Sequence, residues 1–80
     1  MITVHAKLFA TLRNYRPGLG LGEPFPVELP DRATVGQLLQ QLGLPEGEVK
    51  MIFVNGIVRD REHVLAGGDE LGIFPPVGGG

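Results

Sequence analysis

One stretch of the chain carries a helical period with both ends marked, and strand patterns flank it on either side. Thr34 is a good N-cap, Gln37 three residues later completes a capping box, and Ala33 and Leu38 occupy the two staple positions. Val35, Leu38, Leu39 and Leu42 follow at i, i+3, i+4 and i+7, a single apolar stripe, and Gly43 stands where helices commonly end in left-handed geometry. Before the helix, Ile2, Val4, Ala6 and Leu8 alternate with Thr3, His5 and Lys7, the period of a strand with one buried face. Phe9 to Tyr15 predicts a short helical turn. Pro17, Gly18, Gly20, Gly22 and Pro24 then break regular structure before Phe25, Val27 and Leu29 resume the alternation.

After the helix, Val49 to Val54 is rich in β-formers and runs into Asn55-Gly56, the dipeptide that best tolerates the positive φ angles of a two-residue hairpin, so Ile57 and Val58 should pair back. The stretch from Arg59 to Glu70 reads as a loop pinned by Val64 and Leu65, and Leu71 to Phe74 as a last strand. One helix with one apolar stripe can cover one sheet. The expected fold is α+β: a mixed four- to five-stranded sheet with the helix packed on one face.

With 80 residues there is room for one small domain, of a size that buries only about 60 to 65 per cent of its unfolded surface. No repeat, second domain or long linker is visible. The hydrophobic share of 42% and charged share of 20% are those of an ordinary globular protein, and no apolar run approaches the roughly 18 to 20 residues of a membrane span. Met1 to Phe9 alternates and carries no leader pattern, so the chain reads as cytoplasmic and free of membranes. The absence of Cys excludes a disulfide framework, a thiolate metal site and a cysteine nucleophile. A net charge of -2 with scattered Lys and Arg provides no basic stripe for a phosphate backbone, so no nucleic acid is expected as partner.

Catalytic and ligand motifs are weak. Gly18-Leu19-Gly20-Leu21-Gly22 lacks dinucleotide-fingerprint spacing and leads to a strand instead of opening a helix. His63 beside Glu62 and Asp60 reads as a solvated charged loop, His5 as an exposed strand residue, and no Ser/His/Asp arrangement or facing carboxylate pair is suggested. The expectation is a carrier or interaction domain with no metal and no cofactor of its own.

The chain ends with Gly78, Gly79 and Gly80, directly after Ile73-Phe74-Pro75-Pro76-Val77. Glycine loses the most backbone freedom on folding, so a glycine run after a patterned strand asks for a function. Residues 1–76 read as the folded domain and 77–80 as a flexible glycine tail. Pro75 and Pro76 favour extended geometry, which lets Pro76 to Gly80 project about 15 to 18 Å into a partner.

The chain resembles the ubiquitin-like β-grasp sulfur carriers of the MoaD/ThiS type, and within them the molybdopterin synthase small subunit. The residues that carry the likeness are Gly68-Asp69-Glu70-Leu71 running into Ile73-Phe74-Pro75-Pro76-Val77 and Gly79-Gly80, with Phe9-Ala10-Thr11-Leu12-Arg13, Thr34-Val35 and Val54-Asn55-Gly56 in support. The resemblance implies a ubiquitin-like β-grasp fold. It also implies an ATP-dependent, ubiquitin-activating-like adenylating enzyme that activates the Gly80 carboxylate, a persulfide sulfur donor that displaces AMP, and a thiocarboxylate that donates sulfur inside a complex with the synthase large subunit. ATP would be used by the activating enzyme. Gly79 and Gly80 would be the reacting end, and Phe9, Arg13, Phe74, Pro75, Pro76, Val77 and Gly78 the docking residues. A carboxylate at neutral pH is a poor electrophile, which is why activation is needed. The resemblance favours a sulfur carrier for molybdopterin formation and leaves two alternatives, a thiamine-thiazole sulfur carrier, whose end the triple glycine also resembles, and a ubiquitin-like protein modifier; a passive β-grasp interaction module is the reading of a different class.

Overall fold

The computed structural model describes residues 1–15, 18 and 23–76; Arg16, Pro17, Leu19 to Gly22 and Val77 to Gly80 lie outside the described residues. Strand β1 (Ile2–Leu8) pairs antiparallel with β2 (Phe25–Leu29), Ile2 facing Leu29 and Ala6 facing Phe25. Helix α1 (Val35–Leu42) leads to β3 (Met51–Val54), which turns back into β4 (Ile57–Val58), and β5 (Glu70–Phe74) closes the fold. Short 3₁₀ turns occupy Ala10–Tyr15 and Glu46–Glu48. The order across the five-stranded sheet is β2-β1-β5-β3-β4. β5 therefore enters the middle, parallel to β1 and antiparallel to β3. A mixed sheet with one main helix is the expected α+β architecture.

The alternation read in the sequence decides which side each residue takes. Val4, Ala6 and Leu8 of β1, Phe25, Val27 and Leu29 of β2, Ile52 and Val54 of β3, and Leu71 and Ile73 of β5 are buried together with Val35, Leu38 and Leu39 of α1. Leu12, from the 3₁₀ turn after β1, closes one end of this core. Burying a side chain of this size contributes roughly 1.5 to 3 kcal/mol.

Local signals explain where α1 begins and stops. The Gln37 N–H donates to Thr34 Oγ1 at 3.2 Å while the Thr34 N–H donates to Gln37 Oε1 at 2.8 Å, the reciprocal pair of a capping box. The next orphan donors are met by the loop after β4: Val35 N–H reaches the His63 carbonyl at 3.0 Å and Gly36 N–H the Arg61 carbonyl at 2.9 Å. At the far end Gly43 takes φ 74°, and Leu44 N–H returns to the Leu39 carbonyl at 3.0 Å.

Two strand boundaries and one loop anchor differ from the sequence reading. β3 begins at Met51, not at Val49, because Val49 turns its carbonyl to the Arg61 guanidinium at 3.1 Å and is buried outside the ladder. β5 begins one residue early, because Glu70 already pairs with His5 and accepts the Asn55 N–H at 2.7 Å. Val64 does not pin its loop with its side chain, which is 53% exposed. Its backbone does so instead, in an isolated bridge to Thr34, while Leu65 supplies the buried anchor. Among the described residues, no helix is long and apolar enough to cross a membrane.

Candidate docking face and tail root

Because α1 covers one side of the sheet, the alternate residues of each strand are left on the other. Registration lines them up in rows: His5 beside Glu70, then Lys7, Gly72 and Phe53 across β1, β5 and β3, with Val58 opposite Phe53, then Phe74 beside Met51. Phe9 follows β1 and stays alongside β5 because its N–H donates to the Ile73 carbonyl at 3.2 Å.

Three aromatic rings meet at this end of the face. Phe9 and Phe74 stack with centroids 4.2 Å apart and planes inclined by 3°, and Phe53 meets Phe74 edge-on at 5.4 Å and 75°. Such pairs contribute about 0.5 to 1.5 kcal/mol beyond their buried area. All three rings are half-buried and lie outside the helix-side core. Gly72 makes room for them. A Cβ built there would sit 3.4 Å from both the Phe74 and Phe9 rings, so a larger side chain would push against them. The result is an open depression of about 570 Å³, walled by Phe9, Phe53, Phe74, Lys7 and Pro24 around Gly72, with His5 and Glu70 at its polar end. Exposed Met51 and Val58 extend the apolar surface at its β3–β4 side.

The C-terminal segment leaves from beside this depression. β5 is paired with β1 through Ile73 and with β3 through Phe74, whose carbonyl accepts the Lys50 N–H at 2.9 Å. Pro75 and Pro76 have no N–H to continue a ladder, so pairing ends there. Pro75 is half-buried and Pro76 exposed. The root of the tail is thus clamped at the sheet centre. Val77, Gly78, Gly79 and Gly80, which the sequence reading assigned to docking and reaction, lie outside the described residues.

Of the other candidates, Arg13 is half-buried on the Ala10–Tyr15 turn, and its Nε is buried with no hydrogen-bond partner among the described residues. It does not wall the depression; what links it to the site is the packing of its turn against β5. At the end of the same turn, the Tyr15 hydroxyl donates to the Glu48 carboxylate. That bond, with smaller contributions from desolvation and from the Glu48 charge, raises the Tyr15 pKa above its ordinary 10.0. Asp60 accepts the Glu62 N–H at 2.9 Å and His63 lends its carbonyl to α1, which makes this segment a structural loop. Among the described residues, no cluster of three or more His, Asp or Glu is placed to hold a metal.

Sequence reasoning named Phe9 and Phe74 but missed Phe53, Gly72, Met51 and Val58. The available signal was Gly72 itself, a glycine inside a strand pattern, which commonly marks a close approach or a site where another backbone or side chain enters.

The sequence pattern of the ThiS family matches residues 6–80. Among solved structures, the chain is similar to a protein provisionally assigned as molybdopterin converting factor subunit 1 from Pyrococcus furiosus, with 29% identity over 96% of this chain and 100% of that one and a TM-score of 0.75. It is similar to small archaeal modifier protein 1 of Haloferax volcanii, with 26% identity, the same two coverages of 96% and 100%, and a TM-score of 0.76. A complex of subunits 1 and 2 of molybdopterin-converting factor from Helicobacter pylori shares the fold at 24% identity, 99% and 100% coverage and a TM-score of 0.61. No curated protein matches the sequence.

Proposed function

The chain belongs to the ThiS family of small ubiquitin-like sulfur carriers, and from that premise we propose that it carries sulfur on Gly80 for molybdopterin formation. The observation that carries the proposal is the tail root: an aromatic depression on the open sheet face stands directly beside Phe74-Pro75-Pro76, where the chain leaves the sheet. Residues 1–76 act as the docking body and 77–80 as the reacting tail.

An activating enzyme binds the body through Phe9, Phe53, Phe74 and Met51, with Arg13 alongside, and receives the tail through Pro75, Pro76, Val77 and Gly78. The Gly80 carboxylate attacks the α-phosphate of ATP held by that enzyme and pyrophosphate leaves. The terminal sulfur of a persulfide donor displaces AMP to give an acyl disulfide, and a thiol then attacks the donor's own sulfur, forming a disulfide with it as the thiocarboxylate leaves. Glycine suits this because a backbone without Cβ passes a narrow channel and lies close to a nucleotide. The same face then serves the large synthase subunit, as expected of a carrier that visits its partners in turn. The likeness to a molybdopterin converting factor subunit 1, and the assembly of subunits 1 and 2 in the Helicobacter pylori protein, support a large subunit as one of these partners.

The similarity to a small archaeal modifier protein favours a second reading, in which a lysine amine of another protein accepts the activated tail. Both readings share the adenylate and differ in the acceptor. The test is intact mass of the chain incubated with ATP, its activating enzyme, a persulfide donor and a thiol, followed by challenge with a pterin precursor and the synthase large subunit, with a thiazole precursor and its synthase, and with lysine-bearing proteins. Sulfur-for-oxygen exchange at Gly80 that is discharged by the pterin precursor supports the proposal. Discharge by the thiazole precursor alone reassigns the pathway, isopeptide-linked glycine remnants support the second reading, and a carboxylate that never forms an AMP adduct rejects both.

A further inference from the structure

We propose that Asn55–Gly56 is a latent modification site, at which the Asn55 amide cyclises and deamidates when its contacts to β5 open. The chemistry needs an asparagine followed by a residue whose backbone nitrogen is unhindered, and glycine is the least hindered of all. Both residues are exposed at the β3–β4 turn, with φ of 52° and 84°, and a Cβ on Gly56 would meet nothing within 4 Å.

What restrains the reaction is where the side chain is held. Asn55 Nδ2 donates to Asp69 Oδ1 at 3.0 Å, and Asn55 Oδ1 accepts the Glu70 N–H at 3.0 Å. Asp69 is fixed in turn by accepting the Ala66 N–H on its other oxygen at 2.8 Å. The amide is therefore committed across the seam to β5, with both its donor and its acceptor in use.

When both bonds release, the Gly56 nitrogen gives up its proton and bonds to Asn55 Cγ. The Cγ–Nδ2 bond breaks, and ammonia leaves with that proton, giving a succinimide. Water then opens one of the two imide bonds, yielding aspartate or isoaspartate at position 55. Neither product restores the seam. The donor to Asp69 is gone, and a new carboxylate faces the Asp69 carboxylate, a like-charge pair that favours the open seam. β5 starts at this seam and ends at the tail root, so the modification loosens the strand that positions Phe74.

The test follows the peptide spanning Asn55 by mass spectrometry, with an isoaspartate assay, during incubation of the whole chain at mildly alkaline pH. A synthetic peptide of residues 52–59 and the Asp69→Ala chain are run in parallel. Loss of two hydrogen bonds as the condition for reaction predicts a folded chain slower than the peptide by at least about tenfold, with Asp69→Ala recovering a large part of that factor. Should Asp69→Ala fail to fold, the wild-type rate in urea replaces it, and the proposal expects a rise well below the global unfolding transition. A folded chain as fast as the peptide, an unreactive peptide, an unchanged rate in folded Asp69→Ala, or a urea profile flat until global unfolding each overturns it.

Discussion

Phe9 and Phe74 stack face to face across the junction of two parallel strands, 4.2 Å between centroids, although they are far apart in sequence. The contact couples the residue after β1 to the last residue of β5. It does so on the side of the sheet that the helix leaves bare, where a ring cannot serve the core. The stack thus joins the point where the C-terminal segment departs to the surface a partner would grip. One pair of side chains ties the end of β5 to the bare face of the sheet.

Filling the floor of the depression should separate docking from folding. At Gly72 a Cβ stands at 3.4 Å from both rings, so Gly72→Ala is accommodated by a small ring shift, whereas Gly72→Leu must displace Phe9 or Phe74. The expected outcome for Gly72→Leu is a cooperative melting transition retained within about 1 to 3 kcal/mol of the parent. Affinity for the activating enzyme should fall by about tenfold or more, because each 1.4 kcal/mol lost is a factor of ten. Titration calorimetry checks this, and unchanged affinity for Gly72→Leu would remove the depression from the interface.

Truncating the helix stripe should have the opposite balance. Leu39 is 2% exposed and lies in the core among residues of α1 and the sheet. Leu39→Ala is expected to cost about 2 to 5 kcal/mol, a large share of a small domain's stability. Urea unfolding measures it, and a near-neutral midpoint would show that the stripe does not seal the sheet as its burial indicates.

The helix, its caps and the hairpin were legible because each is written in a few neighbouring residues. Thr34, Gln37 and Gly43 act within one or two turns, and Asn55-Gly56 fixes its own turn through two positive φ values. The parallel pairing of β1 with β5 was not legible, since nothing local to Ala6 names Leu71 as its neighbour. The docking face suffered most from this. Phe9, Phe53 and Gly72 come from three separate segments, and only the register brings them into one depression. Val49 was misassigned to a strand because its β-branched side chain matched, while the bond from Arg61 that takes its carbonyl is a tertiary event.

The Tyr15–Glu48 bond should leave a signature at alkaline pH. Its folded-state pKa is raised above 10.0, first by the hydrogen bond to Glu48. A group with a raised folded pKa contributes stability that is fully present below its unfolded pKa and is lost as pH rises through the folded value. The wild type should therefore be more stable than Tyr15→Phe by a constant margin up to about pH 10, and the margin should shrink above it. Urea midpoints of the two chains across this range test the sign, and a margin that widens with alkalinity would contradict the bond.

Gly80→Ala tests the reacting end while leaving the body alone. Among the described residues the buried set runs from Val4 to Ile73, so melting temperature and far-ultraviolet spectrum should match the parent. Adenylation should be blocked or severely slowed, because the added methyl group occupies the space through which the last peptide approaches the nucleotide. Pyrophosphate release with the activating enzyme, measured beside a binding titration, distinguishes the possible failures. Intact binding with lost pyrophosphate release places the defect at the reaction, whereas lost binding would make Gly80 a docking residue. An undiminished rate would show that the terminal residue needs no glycine, and the narrow-channel argument for the tail would fall with it.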